Sequence, residues 1–146
     1  MDYVKGKIGR YFFVRFDHND NLLDKLCTLA RKEQIRQAWF FCLGAVKHAE
    51  IVTGPKTTVH PPIPLWHKIV EGHEVIAIGN ITWLNDEPKI HLHGSFGRSD
   101  NIRVGCVRKN AEVFLTVECS VFEIDDVTVV REKNPTLGID TISFKK

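Results

Sequence analysis

The segment Lys89-Ile90-His91-Leu92-His93-Gly94-Ser95-Phe96 holds the best-placed chemistry in the chain. Its alternation predicts a strand with Ile90, Leu92 and Phe96 on one face and His91 and His93 on the other. Side chains two apart on a strand point the same way with Cα atoms about 6.6 Å apart, so two imidazoles can converge on one ion. A tetrahedral site needs more than two nitrogens, so a third ligand must come from elsewhere. Without it, the pair is two solvated histidines on a polar strand face. The other histidines, His18, His48, His60, His67 and His73, stand singly, and only His73, after Gly72, is kept as a distant ligand candidate.

A second cluster is electrostatic. Residues 98 to 109 carry Arg98, Arg103, Arg108 and Lys109 against Asp100. Read as a loop, this segment could meet the phosphates of DNA or a small anionic ligand; a solvated loop is the plainer alternative. The whole chain has a net charge of only +2 and a pI near 8.4, which does not by itself point to nucleic acid. The sequence contains no zinc finger, helix-turn-helix signature, P-loop, G-x-S-x-G or H-E-x-x-H. Cys27, Cys42, Cys106 and Cys119 form no C-x-x-C pair and read as reduced, packed thiols.

The elements that must position these groups follow from periodicity and turn residues. Tyr11 to Phe16 reads as a strand, and Asp17-His18-Asn19-Asp20-Asn21 supplies the start of a helix over about residues 20 to 35, with Leu22, Leu26, Leu29 and Ala30 on its apolar stripe. Ala38 to Leu43 is a buried strand that bends at Gly44 and continues to Thr53. Pro55, Pro61, Pro62 and Pro64 mark an extended excursion over residues 54 to 64, suited to a lid or an interface arm. Strands are then predicted at 67–72, 74–84, 88–97, 111–124 and 127–132, with tight turns at Asn85-Asp86-Glu87 and Asp125-Asp126.

One early helix followed by hairpin-linked strands predicts an α+β fold, a single helix packed on a highly twisted antiparallel β-sheet. At 146 residues, 43% of them hydrophobic, the chain is expected to form one domain, 1–146, with its core at about 9–134. On the strand over 111–124, Val113, Leu115, Val117, Cys119 and Val121 share one face. Phe114 and Phe122 stand on the face expected to be wet, which suggests that another subunit covers it. No apolar run of about 18 residues and no signal-peptide core occur, so a cytoplasmic protein without membrane contact is expected.

The order of these motifs resembles the plants-and-prokaryotes conserved domain, known as PPC or PCC. The match runs through Arg10 to Arg15, Leu22 to Ile35, Leu43-Gly44-Ala45 with Ala49-Glu50, Glu74 to Ile81 with its Gly79-Asn80 ending, His91-Leu92-His93, Thr116-Val117-Glu118 and Arg131-Glu132-Lys133-Asn134-Pro135. The resemblance implies a trimer-forming fold of one helix on an antiparallel sheet. It also implies a third histidine in a G-G-H-L segment, which, counted back from Thr116, falls on Gly105-Cys106-Val107-Arg108 and puts Val107 at the histidine position.

A hydrocarbon binds no metal, which leaves Cys106 as the nearby soft ligand for a His91, His93, Cys106 zinc site. Glu118 would then hold one imidazole or act as general base. Cys106 as a packing residue and Glu118 as an exposed strand carboxylate remain the alternatives. The leading functional reading is a homotrimeric binding or regulatory module with DNA as partner, although the AT-hook of plant members is not in this chain. The second is a metal-dependent enzyme or binding protein for a small anionic ligand. The third is a structural oligomer whose histidine face is an interface.

Overall fold

The computed structural model of the chain describes residues 1–145. Its elements in order are β1 (Lys7–Asp17), α1 (Leu22–Glu33), β2 (Ala38–Pro55), β3 (Pro64–Leu84), β4 (Glu87–Arg98), β5 (Asn101–Asp125), β6 (Thr128–Asn134) and β7 (Ile139–Lys145). The helix begins where the Asx cluster ends. Asn21 stays extended and its side-chain oxygen accepts from the Leu23 and Asp24 N–H groups, satisfying two donors that no helical carbonyl can reach. Gln34 closes the helix in the left-handed conformation. Leu22, Leu26 and Ala30 are buried on the face that meets β4 and β5.

The α+β expectation is corrected. About 70% of the residues are in strands and 8% are helical, so the fold is dominated by the sheet and the helix is only a short cover on it. Strands are longer than the sequence patterns suggest because irregularities bend them without ending them. β2 runs for 18 residues, β3 for 21 and β5 for 25. Of residues 98 to 109, read above as loop, those from 101 onward belong to β5, and residues 139 to 145 form an additional strand.

Pairing curls the sheet upon itself. β3 pairs antiparallel with β2 and β4, and β5 pairs with β1, β2 and β4, so that β2, β3, β4 and β5 close a ring. Cys106 shows the closure: its register partner is His93 on one side and Val52 on the other. The ring interior holds Phe40, Ile51, Leu92, Phe96, Val107 and Val113. Asn85 and Asp86, both at positive φ, make the two-residue turn from β3 to β4, as the sequence predicts. β6 and β7 form a terminal hairpin that meets the ring through one parallel bridge, Trp83 to Val130.

The predicted bend at Gly44 coincides with a register shift. Gly44 sits at φ 143°, opposite Val117, and the next β2 residue pairs with Phe114. A Cβ at Gly44 would lie 2.3 Å from the Thr116 carbonyl oxygen. Both the backbone angle and the close approach therefore require glycine. Gly44→Ala should cost about 2 kcal/mol or more of unfolding free energy in urea titrations, through the strained φ and the displaced β5 backbone.

Candidate metal centre

His91 and His93 lie on the outer face of β4, while Ile90, Leu92 and Phe96 turn inward, as the alternation predicts. Cross-strand partners share a face, so the pairing of His93 with Cys106 carries that thiol to the same side. One donor atom from each of His91, His93 and Cys106 lies within 4.8 Å of the others. The two Nε2 atoms are 3.1 Å apart, and the rings meet edge to face at 4.9 Å.

Val107, the position that the resemblance gave to a third histidine, is 4% exposed and packs in the core opposite Leu92 and Ile51. Its neighbour Cys106 stands on the imidazole face instead. Counting back from Thr116 crosses several shifts of register along β5, where Asn110 and Leu115 take positive φ, so strand parity does not carry through.

The donor set fits a zinc-like ion. Tetrahedral bond lengths place nitrogen ligands about 3.3 Å from each other and about 3.6 Å from a thiolate; the two Nε2 atoms stand 3.1 Å apart, and the Cys106 sulfur is within 4.8 Å of the imidazole donors. Burial, with Arg131, His93 and Arg108 adding to it, pushes the His91 imidazole down to about 4, so it is neutral with a free lone pair at pH 7. Burial pushes the Cys106 thiol up, with Arg108 and Arg131 opposing. A dication beside that sulfur would reverse the shift and hold it as thiolate. Three protein donors would leave a tetrahedral ion one position for water or a ligand.

Other predicted residues are dispersed. Glu118 is exposed opposite Arg15 and Leu43, three strands across the sheet from β4 and so roughly 14 Å away. Arg98 pairs with Glu71. Arg103 stands opposite Phe96, and its odd place in the alternation puts it on the face away from Arg108. Lys109 sits over the Trp66 ring at 5.7 Å. Of the four cations, only Arg108 lines the cavities beside the cluster.

Arg131, on β6, joins it there, although in the sequence it reads only as the exit of a strand. Its Nε donates to Thr82 Oγ1 at 2.9 Å, one Nη to Asn80 Oδ1 at 3.1 Å and the other to the Asp140 carbonyl at 3.3 Å. No local pattern links Arg131 to Asn80 and Thr82, which are about fifty residues away. The sole hint was that Gly79-Asn80 and Arg131 both fall in motifs of the resemblance.

The chain matches the Plants and Prokaryotes Conserved (PCC) domain over residues 3–125. It belongs to that family. Among solved structures, the PCC domain superposes on a metal-containing protein from Archaeoglobus fulgidus with a TM-score of 0.86 at 21% identity, covering 97% of this chain and 98% of that one. It superposes on a PPC protein from Pyrococcus horikoshii with a TM-score of 0.85 at 21% identity, covering 100% and 99%. A candidate DNA-binding protein from Bacteroides thetaiotaomicron aligns with a TM-score of 0.79 at 20% identity, covering 97% and 99%. No curated protein matches the sequence. At these identities the likeness speaks for the fold alone. No helix among the described residues is long and apolar enough to cross a membrane.

The depressed His91 sets a pH dependence for the PCC domain. An imidazole that ionises near 4 when folded and near 6.5 when unfolded stabilises the fold above pH 6.5, and that contribution is lost as pH falls toward 4. In chelator-treated protein, the urea midpoint of the wild type should fall more between pH 7 and pH 4 than that of His91→Gln. Parallel profiles would show that His91 contributes nothing to the acid sensitivity.

Proposed function

We propose that this PCC-domain protein is a binding module built around one divalent ion, zinc by its donor set, held by His91, His93 and Cys106. The observation that carries this reading is the convergence of two imidazoles and a thiol from adjacent strands, with donor atoms within 4.8 Å of one another. Bound there, the ion would supply a positively charged, Lewis-acidic point able to hold an anionic group. The remote position of Glu118 favours binding over the general-base chemistry that the enzyme reading needs. Among the described residues, the only acidic one lining either adjoining cavity is Asp140.

Self-association is part of the proposal. Phe13, Phe41 and Ile78 lie in one register row that continues to His93, and Tyr11, Phe122 and Trp39 lie in the row that leads through Asn80 to His91. With Phe13 67% and Ile76 75% exposed, this broad apolar face is the kind of surface that copies of a chain cover for one another, and the resemblance to a trimeric family makes three copies the expected number. DNA is suggested by the family resemblance and by neighbours such as the candidate DNA-binding protein from Bacteroides thetaiotaomicron, but the dispersal of Arg98, Arg103, Arg108 and Lys109 gives it no single phosphate-facing surface. We assign no DNA interface.

Metal analysis of untagged protein should find about one zinc per chain. The double variant His91→Ala/His93→Ala should lose it, and Cys106→Ser should retain substantially less than the wild type after dialysis against a weak chelator. Wild-type protein with zinc, iron and manganese all far below one per chain would remove the metal centre. Light scattering should give three times the 16.7 kDa chain mass.

A further inference from the structure

Two cavities adjoin the His/His/Cys cluster. The larger, about 500 Å³, has His93, Cys106 and Arg108 at one side and an apolar wall that includes Val52, Pro55, Pro64, Trp66, Val104 and Ile139. Part of that wall is the proline-rich hairpin between β2 and β3. The smaller, about 360 Å³, is lined by His91, Arg108 and Arg131 among others. Arg108 and Ile139 belong to both, so the two spaces share a wall beside the imidazoles.

The charges here are unbalanced. Among the described residues, neither Arg108 nor Arg131 forms an ion pair with a carboxylate. Asp140 contributes its carbonyl to Arg131, while its carboxylate stays beyond ion-pair distance at the cavity edge. Arg131 is partly buried and held by three neutral acceptors, which use three of its five N–H groups and leave two. Burial lowers its pKa, opposed by Asp140 and Cys106 and aided by Arg108. Taking a guanidinium out of water beside a second one, with the Asp140 carboxylate opposing but not paired, is costly unless an anion completes the set. The three fixed bonds orient the fork before any ligand arrives, and preorganisation of this kind is what anion recognition needs.

We propose that these cavities form one ligand site for a small organic oxyanion, its carboxylate or phosphate head between Arg108, Arg131 and the metal position, and its apolar body against Trp66 and the proline-lined wall. This rests on the metal-binding reading for the ion but not for the arginines or the wall, which are present without it. Size agrees as well: the larger cavity lies within the usual range for small-molecule sites, and its lining is mostly apolar with a few convergent polar groups.

Isothermal titration of zinc-loaded protein with benzoate, phenyl phosphate, inorganic phosphate and benzyl alcohol tests the site. Whichever head the site prefers, benzoate or phenyl phosphate should bind at least about tenfold more tightly than either inorganic phosphate or benzyl alcohol. Arg108→Ala, an exposed substitution, should weaken the better anion by about tenfold or more. Arg131→Lys, which keeps the charge and loses the fork, should weaken it less than Arg108→Ala does if its circular dichroism is unchanged.

No heat from either aromatic anion would overturn the inference, as would equal binding of benzyl alcohol or unchanged affinity in Arg108→Ala. Zinc content measured on the same samples separates the two readings. A protein that binds no zinc but binds the anion through Arg108 sinks the metal centre and keeps this site, and a zinc-loaded protein indifferent to both anions does the reverse.

Discussion

The structure depends on the pairing of β5 with three other strands along its 25 residues. One half joins β4 to β2 and closes the ring, and the other half joins β2 to β1. Side chains alternate faces with a period of two, so a one-residue slip of β5 against β4 would send Cys106 into the core and bring Val107 out among the imidazoles. Core packing opposes that slip, because Val107 and Leu92 are both buried against Ile51 and its neighbours. The same hydrophobic preference that fixes the sheet therefore fixes which atom faces His93. No local feature of Cys106 does so.

Local features of the sequence were legible. The alternation of Lys89 to Phe96, the helix start in the Asp17 to Asn21 cluster, the turn at Asn85-Asp86 and the Gly44 bend each depend on a few neighbouring residues, and each appears in the structure. Longer-range features were not. Residues 101 to 109 looked like loop because their charges masked an edge of alternation in Ile102, Val104 and Cys106. Along β5 the register shifts reset parity, which is why Leu115, placed by alternation with Val113 and Val117, is exposed at φ 60°. Arg131 reaches the site through the docking of a terminal hairpin, which no periodicity reports. The α+β reading failed for a related reason: the helix has a strong local signature, whereas strand length depends on partners far away in sequence.

The two sides of the ring do different work. The interior is apolar and closed. Outside, the rows that begin with Tyr11 and Phe13 on β1 pass through Phe122, Trp39 and Asn80 to His91 and through Ser120, Phe41 and Ile78 to His93, and are mostly aromatic and branched. The imidazoles thus stand at the border between a broad hydrophobic surface and a pocket that holds two unpaired guanidiniums. A low-dielectric neighbour on one side strengthens every charge interaction on the other, which is consistent with the depressed pKa of His91.

The terminal hairpin has a mechanical consequence. It meets the ring through one β-bridge, the two bonds of Arg131 to Thr82 and Asn80 and a contact from the Val129 N–H to Gln37 Oε1. Each strand of the ring, by contrast, is bonded along much of its length to neighbours on both sides. Opening free energies are expected to follow this inequality, so that the amides of β6 and β7 exchange before those of the ring. Since this unit carries Arg131 and Ile139, the pocket loses a guanidinium and a piece of apolar wall each time it opens. An anion seated on Arg131 would act as a latch on the hairpin, and its residence time would be bounded by the hairpin's own breathing.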